Sequence, residues 1–378
     1  MVSRSAMEFA IGRFFRIVCD IARHQMMSEK LGKIEHHLFE QFILNSCGKK
    51  RDEVYIGSQF GVDVSVVDLG ANMAMALTSD PLSLIPSLGL SESAWLSVHL
   101  MANDMATTGF APMYGQFVLN LPATFSKDDF KTYWDYIHQY CCEIGLAITG
   151  GHTGFIEGQN STIAGGGTFI AIAPKDKILV SKFAQPGDSI LVTKSCAISS
   201  AAILAMSFPE TVKQKAGTEI YQLGCNSFYH TSSLKEALIA VDHNKENNNP
   251  ITAMHDVTEG GVLGAIYELA VASGNGAIIY NEKLPVEEVQ SAICKVFDLD
   301  PRYCIGAGAM IITCKKESAA EITNRLIQNN IACVNVGEMC EKESGIKLME
   351  NGSATNLQYL EEDPYWAAFF KALKTGLK

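Results

Sequence analysis

The 378-residue chain has no CxxC pair, no apolar run near the roughly 18 residues that cross a bilayer, and fewer basic than acidic side chains. Its eleven cysteines, scattered from Cys19 to Cys340, therefore indicate neither a disulfide framework nor a zinc ribbon, and a reducing cytoplasm is the expected setting. No membrane-spanning segment is expected. Thirty basic against 41 acidic side chains leave a formal charge of −11, which argues against a nucleic-acid footprint because phosphate backbones demand clustered positive charge. A small-molecule substrate fits better. The sequence also lacks a Walker A loop, a dinucleotide-binding glycine fingerprint, a GxSxG elbow and any standard zinc spacing of His and Cys.

What is present is apolar and glycine-rich: 47% of residues are hydrophobic and 31 are glycine. The length exceeds that at which one core usually keeps growing, so two α/β domains are expected. The expected division is an N-terminal extension 1–29, a first domain 30–175, a second domain 186–350 and a tail 351–378, with the boundary within 174–185. Residues 7–27 mix Phe9, Ile11, Phe14, Phe15, Ile17 and Val18 with Arg13, Arg16 and Arg23, and read as a short amphipathic helix. Glu8 and Asp20 interrupt it and no small-residue cleavage site follows, so an extension is expected rather than a targeting segment or a membrane-surface helix. Met26 and Met27 are candidate starts. The polar stretch 243–249 reads as a surface loop, and 364–378 as an amphipathic helix without chemistry.

Patterning places a hairpin at 64–67 and 73–78, turned by Gly70-Ala71-Asn72 and closed by Asp80-Pro81. A helix is expected over 92–108, with Ser91 as N-cap and Gly109 as stop. The next begins at Ser126, carries Phe130, Trp134, Ile137, Cys141 and Ile144 on one face, and ends at Gly145. A strand over 146–149 then leads into Gly150-Gly151-His152-Thr153; Gly165-Gly166-Gly167 precedes a strand over 168–173, and Pro186-Gly187-Asp188 turns into 189–193. In the second half, helices are expected at 199–206, 234–241 and 260–272, and strands at 276–280, 308–314 and 331–336. A helix at 318–329 joins the last two strands, a β-α-β passage characteristic of an α/β layer.

Asp63, Asp80, the pair Asn103-Asp104 and Asp256 sit at turns in apolar surroundings. Hard oxygen ligands of this kind suit magnesium, and turn capping is the structural alternative for each. Asp104 is the most informative, because the macrodipole disfavours a carboxylate near a helix C-terminus and a metal or counter-charge would resolve the conflict. The glycines of 150–153 and 165–167 would let backbone amides approach a phosphate, with Thr153 adding a hydroxyl; a bulge or tight turn explains them equally. The segment His255-Asp256-Val257-Thr258-Glu259-Gly260-Gly261 places polar groups just before a buried helix whose N-terminus can receive an anion, with Thr258 as its alternative N-cap. His152 and His255 lie within these segments, whereas the other histidines look incidental.

In order, Gly61-Val62-Asp63-Val64-Ser65-Val66-Val67, Thr78-Ser79-Asp80, Asn103-Asp104, Gly150-Gly151-His152-Thr153, Pro186-Gly187-Asp188 and Asp256-Val257-Thr258-Glu259-Gly260-Gly261 resemble the superfamily of aminoimidazole ribonucleotide (AIR) synthetase, selenophosphate synthetase, thiamine-monophosphate kinase and the hydrogenase maturation factor HypE. The resemblance covers about 30–350 and is nearest to the HypE-like branch, including Gly32-Lys33. It implies a two-domain α/β (α+β) PurM-like fold, with first domains that form a dimeric β-barrel, a second α/β layer domain, a homodimer, and ATP with Mg2+ near the interface. It also implies that Asp63, Asp80 and Asp104 face the metal and phosphates, and that Asn103, Gly150, Gly151, His152, Thr153, Asp256 and Thr258 serve the nucleotide. Val62 and His152 stand where the family often has acidic residues, so fewer metal ions are expected; 195–199 lacks the family's glycine-rich turn, and Cys340 is the last cysteine where HypE reacts through a C-terminal one. The activity implied is ATP-dependent phosphorylation of a small molecule or activation of an amide or carboxyl oxygen. The alternatives are a HypE-like maturation factor by a variant route, and a nucleotide-binding sensor or partner without turnover.

Overall fold

Phe117, Leu119 and Leu121 are buried while Tyr114, Gln116 and Val118 face outward, the two-residue period of a strand covered on one side. This strand is part of a computed structural model that describes residues 31–241 and 249–378. The expected N-terminal helix over 7–27 and most of the loop 243–249 lie outside the described residues. Six strands form the first sheet: β1 (Val54–Ile56), β2 (Ser65–Gly70), β3 (Met73–Ser83), β4 (Tyr114–Pro122), β5 (Ala147–Ile156) and β6 (Ile163–Pro174). Their order is β1-β2-β3-β6-β4-β5, with β4 and β5 parallel and the other neighbours antiparallel. Ala71 and Asn72 both take positive φ, which gives the β2–β3 hairpin the turn that matches strand twist.

Helices α1 (Leu90–Ala106) and α2 (Lys127–Glu143) belong to the same half, and α1 packs against β3, β6 and α2. Ser126 caps α2 by accepting the Asp129 amide at 3.0 Å. Its buried residues are Tyr133, Ile137, Tyr140 and Cys141: Ile137 and Cys141 belong to the expected stripe, while Tyr133, whose hydroxyl donates to the Ser83 carbonyl at 2.6 Å, and Tyr140 are buried beside it. The opposite face of the sheet exposes Tyr114, Val118 and Ile172. The sheet is open, with β1 and β5 at its edges, so a single chain does not form the expected barrel.

Seven strands form the second sheet: β7 (Ser189–Thr193), β8 (Ile251–Asp256), β9 (Gly276–Tyr280), β10 (Met310–Cys314), β11 (Cys333–Cys340), β12 (Ile346–Glu350) and β13 (Ser353–Asn356), in the order β13-β12-β9-β11-β7-β10-β8. The helices of this half are α3 (Ile198–Ser207), α4 (Pro209–Ala216), α5 (Thr218–Asn226), α6 (Leu234–Val241), α7 (Gly261–Ser273), α8 (Glu288–Val296), α9 (Ala319–Gln328) and α10 (Pro364–Lys374). The passage β10-α9-β11 is the expected β-α-β unit, its strands separated by β7, to which both are antiparallel. Apart from Glu268, the buried residues of α7 are apolar or glycine, and Gly274 in the left-handed conformation ends the helix. One buried cluster runs from Ala76, Met101 and Phe117 through Leu234 and Met254 to Leu326, so the two sheets share a continuous core.

Several expected boundaries move. Asp80 and Pro81 do not close β3 but lie inside it, paired with Gly167 and Gly166; the register shifts just beyond, where a residue without an N–H is tolerated. Gly150 to Thr153 continue β5 rather than ending it, and Gly165 to Gly167 lie within β6. The glycines serve strand packing: a Cβ on Gly151 would stand 1.8 Å from the Phe117 carbonyl oxygen, and one on Gly165 equally close to that of Val118. Helix α1 starts at Leu90 after Gly89, and the Ser91 hydroxyl bonds to that of Tyr140 at 2.8 Å instead of capping.

Candidate functional site

The segment 57–64 between β1 and β2 is held against α7 at two points. Gln59 Nε2 donates to the Ala272 carbonyl at 3.0 Å. Gly61, at φ +70°, comes so close that an added Cβ would lie 2.4 Å from the Glu268 carbonyl oxygen. Only glycine combines that dihedral with that approach. The contact delivers Asp63 to a pocket of about 400 Å3, lined also by Gly57, Ser58, Val62, Thr78 and Asp104. Thr78 donates to Asp104 Oδ2 at 2.7 Å, so β3 and the last turn of α1 present a hydroxyl and a carboxylate together.

Negative charge accumulates around this pocket. Burial, reinforced by Asp256, Asp80 and Asp63, holds the Asp104 carboxyl well above the usual carboxylate range. Burial also pushes Asp80 up to about 6, with Lys33 opposing and Glu259 adding to the rise. Asp256, 3% exposed, rises to about 7 through burial and Asp63, against His255 and Lys33.

Two cations answer the carboxylates. His255, 2% exposed, places Nδ1 2.9 Å from Asp63 Oδ2 and Nε2 3.3 Å from Glu268 Oε2. Burial alone would lower its pKa, but Asp63 and Glu268 outweigh burial and carry it to about 10, so the ring is an imidazolium that donates from both nitrogens. Burial would likewise raise Glu268, yet Lys33 and His255 bring it down to about 2. Lys33 donates through Nζ to Thr258 Oγ1 at 2.9 Å, lies 3.6 Å from Glu268 Oε2, and donates its backbone amide to Glu259 Oε2 at 2.8 Å. Half of its side chain stays exposed. Burial works against its charge, but Glu268, Asp256, Glu259 and Asp63 prevail and raise its pKa above the usual lysine range.

Among the described residues no three His, Cys, Asp or Glu side chains converge into a ready-made metal cage. The donor set still fits magnesium, which takes one or two carboxylates and completes its shell with water and phosphate oxygens. Asp63 and Asp104 share the pocket, and the raised proton affinity of Asp80, Asp104 and Asp256 marks a negative potential that a divalent cation would neutralise.

The other expected site residues are placed differently. Asn103 is fully buried, donating to the Thr231 carbonyl at 2.9 Å and accepting the Ser233 amide at 2.7 Å, so both ends of its amide join α1 to the second half. Gly150, Gly151, His152 and Thr153 are exposed on the edge strand β5, separated from β3 by β6 and β4, and are not among the lining residues. Thr258 does not cap α7: Gly260 holds that position, and the Thr258 hydroxyl accepts Lys33. In the turn 194–199, Lys194 and Ala197 adopt left-handed φ without being glycine. The Ser200 amide and the hydroxyls of Ser199 and Ser200 all reach the Ile305 carbonyl, which occupies the donors an anion would need.

Sequence reasoning missed Glu268, whose signal is that it is the single charge in an otherwise apolar helix, and Tyr359, Asp363 and Trp366, which carry no such signal. Tyr359 donates to Glu268 Oε1 at 2.8 Å, Asp363 accepts the Gly260 amide at 2.7 Å, and Trp366 Nε1 donates to Glu259 Oε1 at 3.1 Å. Of these only Trp366 lies in the 364–378 helix expected to lack chemistry; together with Tyr359 and Asp363 it braces the 256–268 region.

The model of the AIR synthase related protein N-terminal domain matches residues 61–173, and that of the C-terminal domain matches residues 185–348. Carbamoyl dehydratase HypE of Azotobacter vinelandii is 27% identical over 228 residues, 60% of this chain and 63% of that protein. The chain therefore spans under two thirds of that relative's length. A crystal structure of hydrogenase maturation protein HypE in complex with ATP superposes with a TM-score of 0.64 at 20% identity, over 88% of this chain and 97% of the other. AaThiL complexed with AMPPCP and TMP superposes with 0.65 at 16% identity, over 87% and 97%. At these identities the superpositions show a common two-domain α/β fold. With both domain models matched, in order, over the segments that carry Asp63 and Asp256, the chain belongs to the AIR synthase related family, on its HypE-like branch.

Proposed function

We propose that the chain binds ATP with magnesium at the Asp63–Asp104 pocket and is an ATP-dependent enzyme that phosphorylates a small molecule or activates an amide or carboxyl oxygen. The observation that carries this reading is the pocket itself, which Asp63 and Asp104 both line and where Thr78 donates to Asp104 at 2.7 Å. Asp63 and Asp104 would hold the magnesium, Thr78 orients Asp104, and Lys33 brings a partly exposed ammonium to the same field. Bound magnesium would supply charge neutralisation on phosphate oxygens, the main requirement of phosphoryl transfer. His255 keeps Asp63 oriented from behind.

The same reading includes domains at 30–175 and 186–350 and a homodimer that covers the open sheet face bearing Tyr114, Val118 and Ile172. The ten described cysteines are free, in keeping with a reducing cytoplasm, and among the described residues no helix is long and apolar enough to cross a membrane. Titration calorimetry tests the site. ATP binding should require Mg2+ and weaken about tenfold or more in Asp104→Asn, since one charged contact is worth at least about 1.4 kcal/mol. Wild-type protein without Mg2+-dependent ATP binding would sink the proposal.

A second reading is a nucleotide-binding maturation partner without turnover, favoured by the absence of His152 and Thr153 from the pocket lining. ATP hydrolysis measured across a metabolite panel separates the two: substrate-stimulated turnover that disappears in Asp80→Asn supports the enzyme.

A further inference from the structure

The C-terminal arm 351–378 lies beyond the residues matched by the family's C-terminal domain, which end at 348. It is firmly seated: Tyr365 and Phe369 are buried, and the Phe369 ring lies 5.5 Å from that of Phe208. Of its contacts with the 256–268 region, that of Tyr359 leads on to the pocket. The Tyr359 hydroxyl donates to one oxygen of Glu268 at 2.8 Å, the other oxygen lies 3.3 Å from His255 Nε2, and His255 Nδ1 stands 2.9 Å from Asp63 Oδ2. His255 also has Ser181 Oγ at 3.1 Å, which limits rotation of the ring. The side chains of Asp63, His255 and Glu268 are 10%, 2% and 5% exposed. Water therefore has little access to replace a lost partner, and each member depends on the next.

A carboxylate at the end of a loop turns freely unless one oxygen is pinned, and a metal bound through one or two carboxylates is sensitive to that freedom. Here the pin is His255, and what holds His255 square is Glu268, itself fixed by Tyr359. We propose that Tyr359 and His255 are positioning residues which, through Glu268, fix the Asp63 carboxylate, so that the C-terminal arm sets the affinity of the pocket for the metal-nucleotide. The inference rests on the reading of the pocket as a magnesium-ATP site.

The test uses the full-length chain, Mn2+ as probe and a non-hydrolysable ATP analogue, with free Mn2+ read by electron paramagnetic resonance. Tyr359→Phe removes only the hydroxyl and keeps the ring between Tyr267 and Phe60, whose centroids lie 4.9 and 5.6 Å away. It should raise the Mn2+ concentration for half-saturation about tenfold, while metal-free binding of the analogue stays unchanged. His255→Gln, which keeps one donor, should act in the same direction. In an Asp63→Asn background, Tyr359→Phe should add nothing, because the pair acts through one oxygen.

A merely structural role would weaken both metal-dependent and metal-free binding, and would do so in both backgrounds; that outcome overturns the inference. So does normal Mn2+ uptake by Tyr359→Phe and His255→Gln. Wild-type protein that takes up no Mn2+ with the analogue is a different result, which overturns the site reading and this inference together.

Discussion

Replacing Gly61 by alanine tests whether the close approach of the 57–64 loop to α7 builds the site. Two costs add. A left-handed residue with a Cβ costs about 1–2 kcal/mol, and Gly61 sits at φ +70°. The new Cβ would also lie 2.4 Å from the Glu268 carbonyl oxygen and 2.8 Å from its carbon, both backbone atoms of a buried helix, so loop and helix must part at roughly 1–3 kcal/mol. The sum is about 2–5 kcal/mol. Gly48 supplies the control: it has φ +75° and open space around its Cβ position, so Gly48→Ala bears only the first cost. Urea unfolding of the two variants, with a common slope, should place the Gly61→Ala midpoint clearly below that of Gly48→Ala. Parting the loop from α7 also draws Asp63 away from His255, so Gly61→Ala should lose magnesium-dependent nucleotide binding while Gly48→Ala keeps it. Equal midpoints and equal binding in the two variants would refute the reasoning.

Lys194→Met should destabilise the protein by about 3–5 kcal/mol, because Lys194 Nζ donates to the carbonyls of His230, Ser232 and Gly308 and pairs with Glu236, which is left 1% exposed and uncompensated. Adding Glu236→Leu should recover much of the loss in urea unfolding; no recovery would show that the carbonyl contacts, not the charge, dominate. For pH dependence, His255 rises from the ordinary 6.5 to about 10, so its contribution is complete below 6.5 and is lost as pH climbs towards 10. Glu268 falls from 4.5 to about 2, so its contribution is present above 4.5 and disappears as pH drops towards 2. Asp256, raised from the ordinary 3.8 to about 7, favours folding below about pH 4, and its contribution is lost as pH climbs towards 7, so its share of the decline falls on the acid side of neutrality. Urea midpoints at about pH 5, 7 and 9 should therefore fall with pH in the wild type, and less steeply in His255→Gln; parallel profiles would contradict the assigned imidazolium.

Local patterning made much of this fold readable. The β2–β3 hairpin and the helix 234–241 follow from turn residues and from apolar period, both of which act over a few residues. Strand ends were less readable where glycine or proline continued a ladder: Pro81 and Gly151 read as breaks, and only the pairing with β6 and β4 keeps them in strands. At the site, Asp63 and Asp104 could be singled out because their charge conflicts with apolar or helix-terminal surroundings. Asn103, a neutral amide in the same helix-terminal surroundings, turns instead towards Thr231 and Ser233, a contact more than a hundred residues away along the chain. Tyr359 was invisible for the same reason: a tyrosine in a polar tail gains its meaning only when the arm folds back on Glu268.

The continuous core has a consequence for how the chain is made. Helix α1 is enclosed on one side by its own sheet and on the other by α6 and β8, which are synthesised about a hundred residues or more later. At 5–20 residues per second the ribosome needs roughly 6–25 s to deliver α6. During that interval the flank of α1 that α6 later covers stands bare beside the exit tunnel. Its apolar residues must wait for a partner still being translated, so slowing synthesis through the second half should lengthen exposure and raise aggregation of the nascent protein.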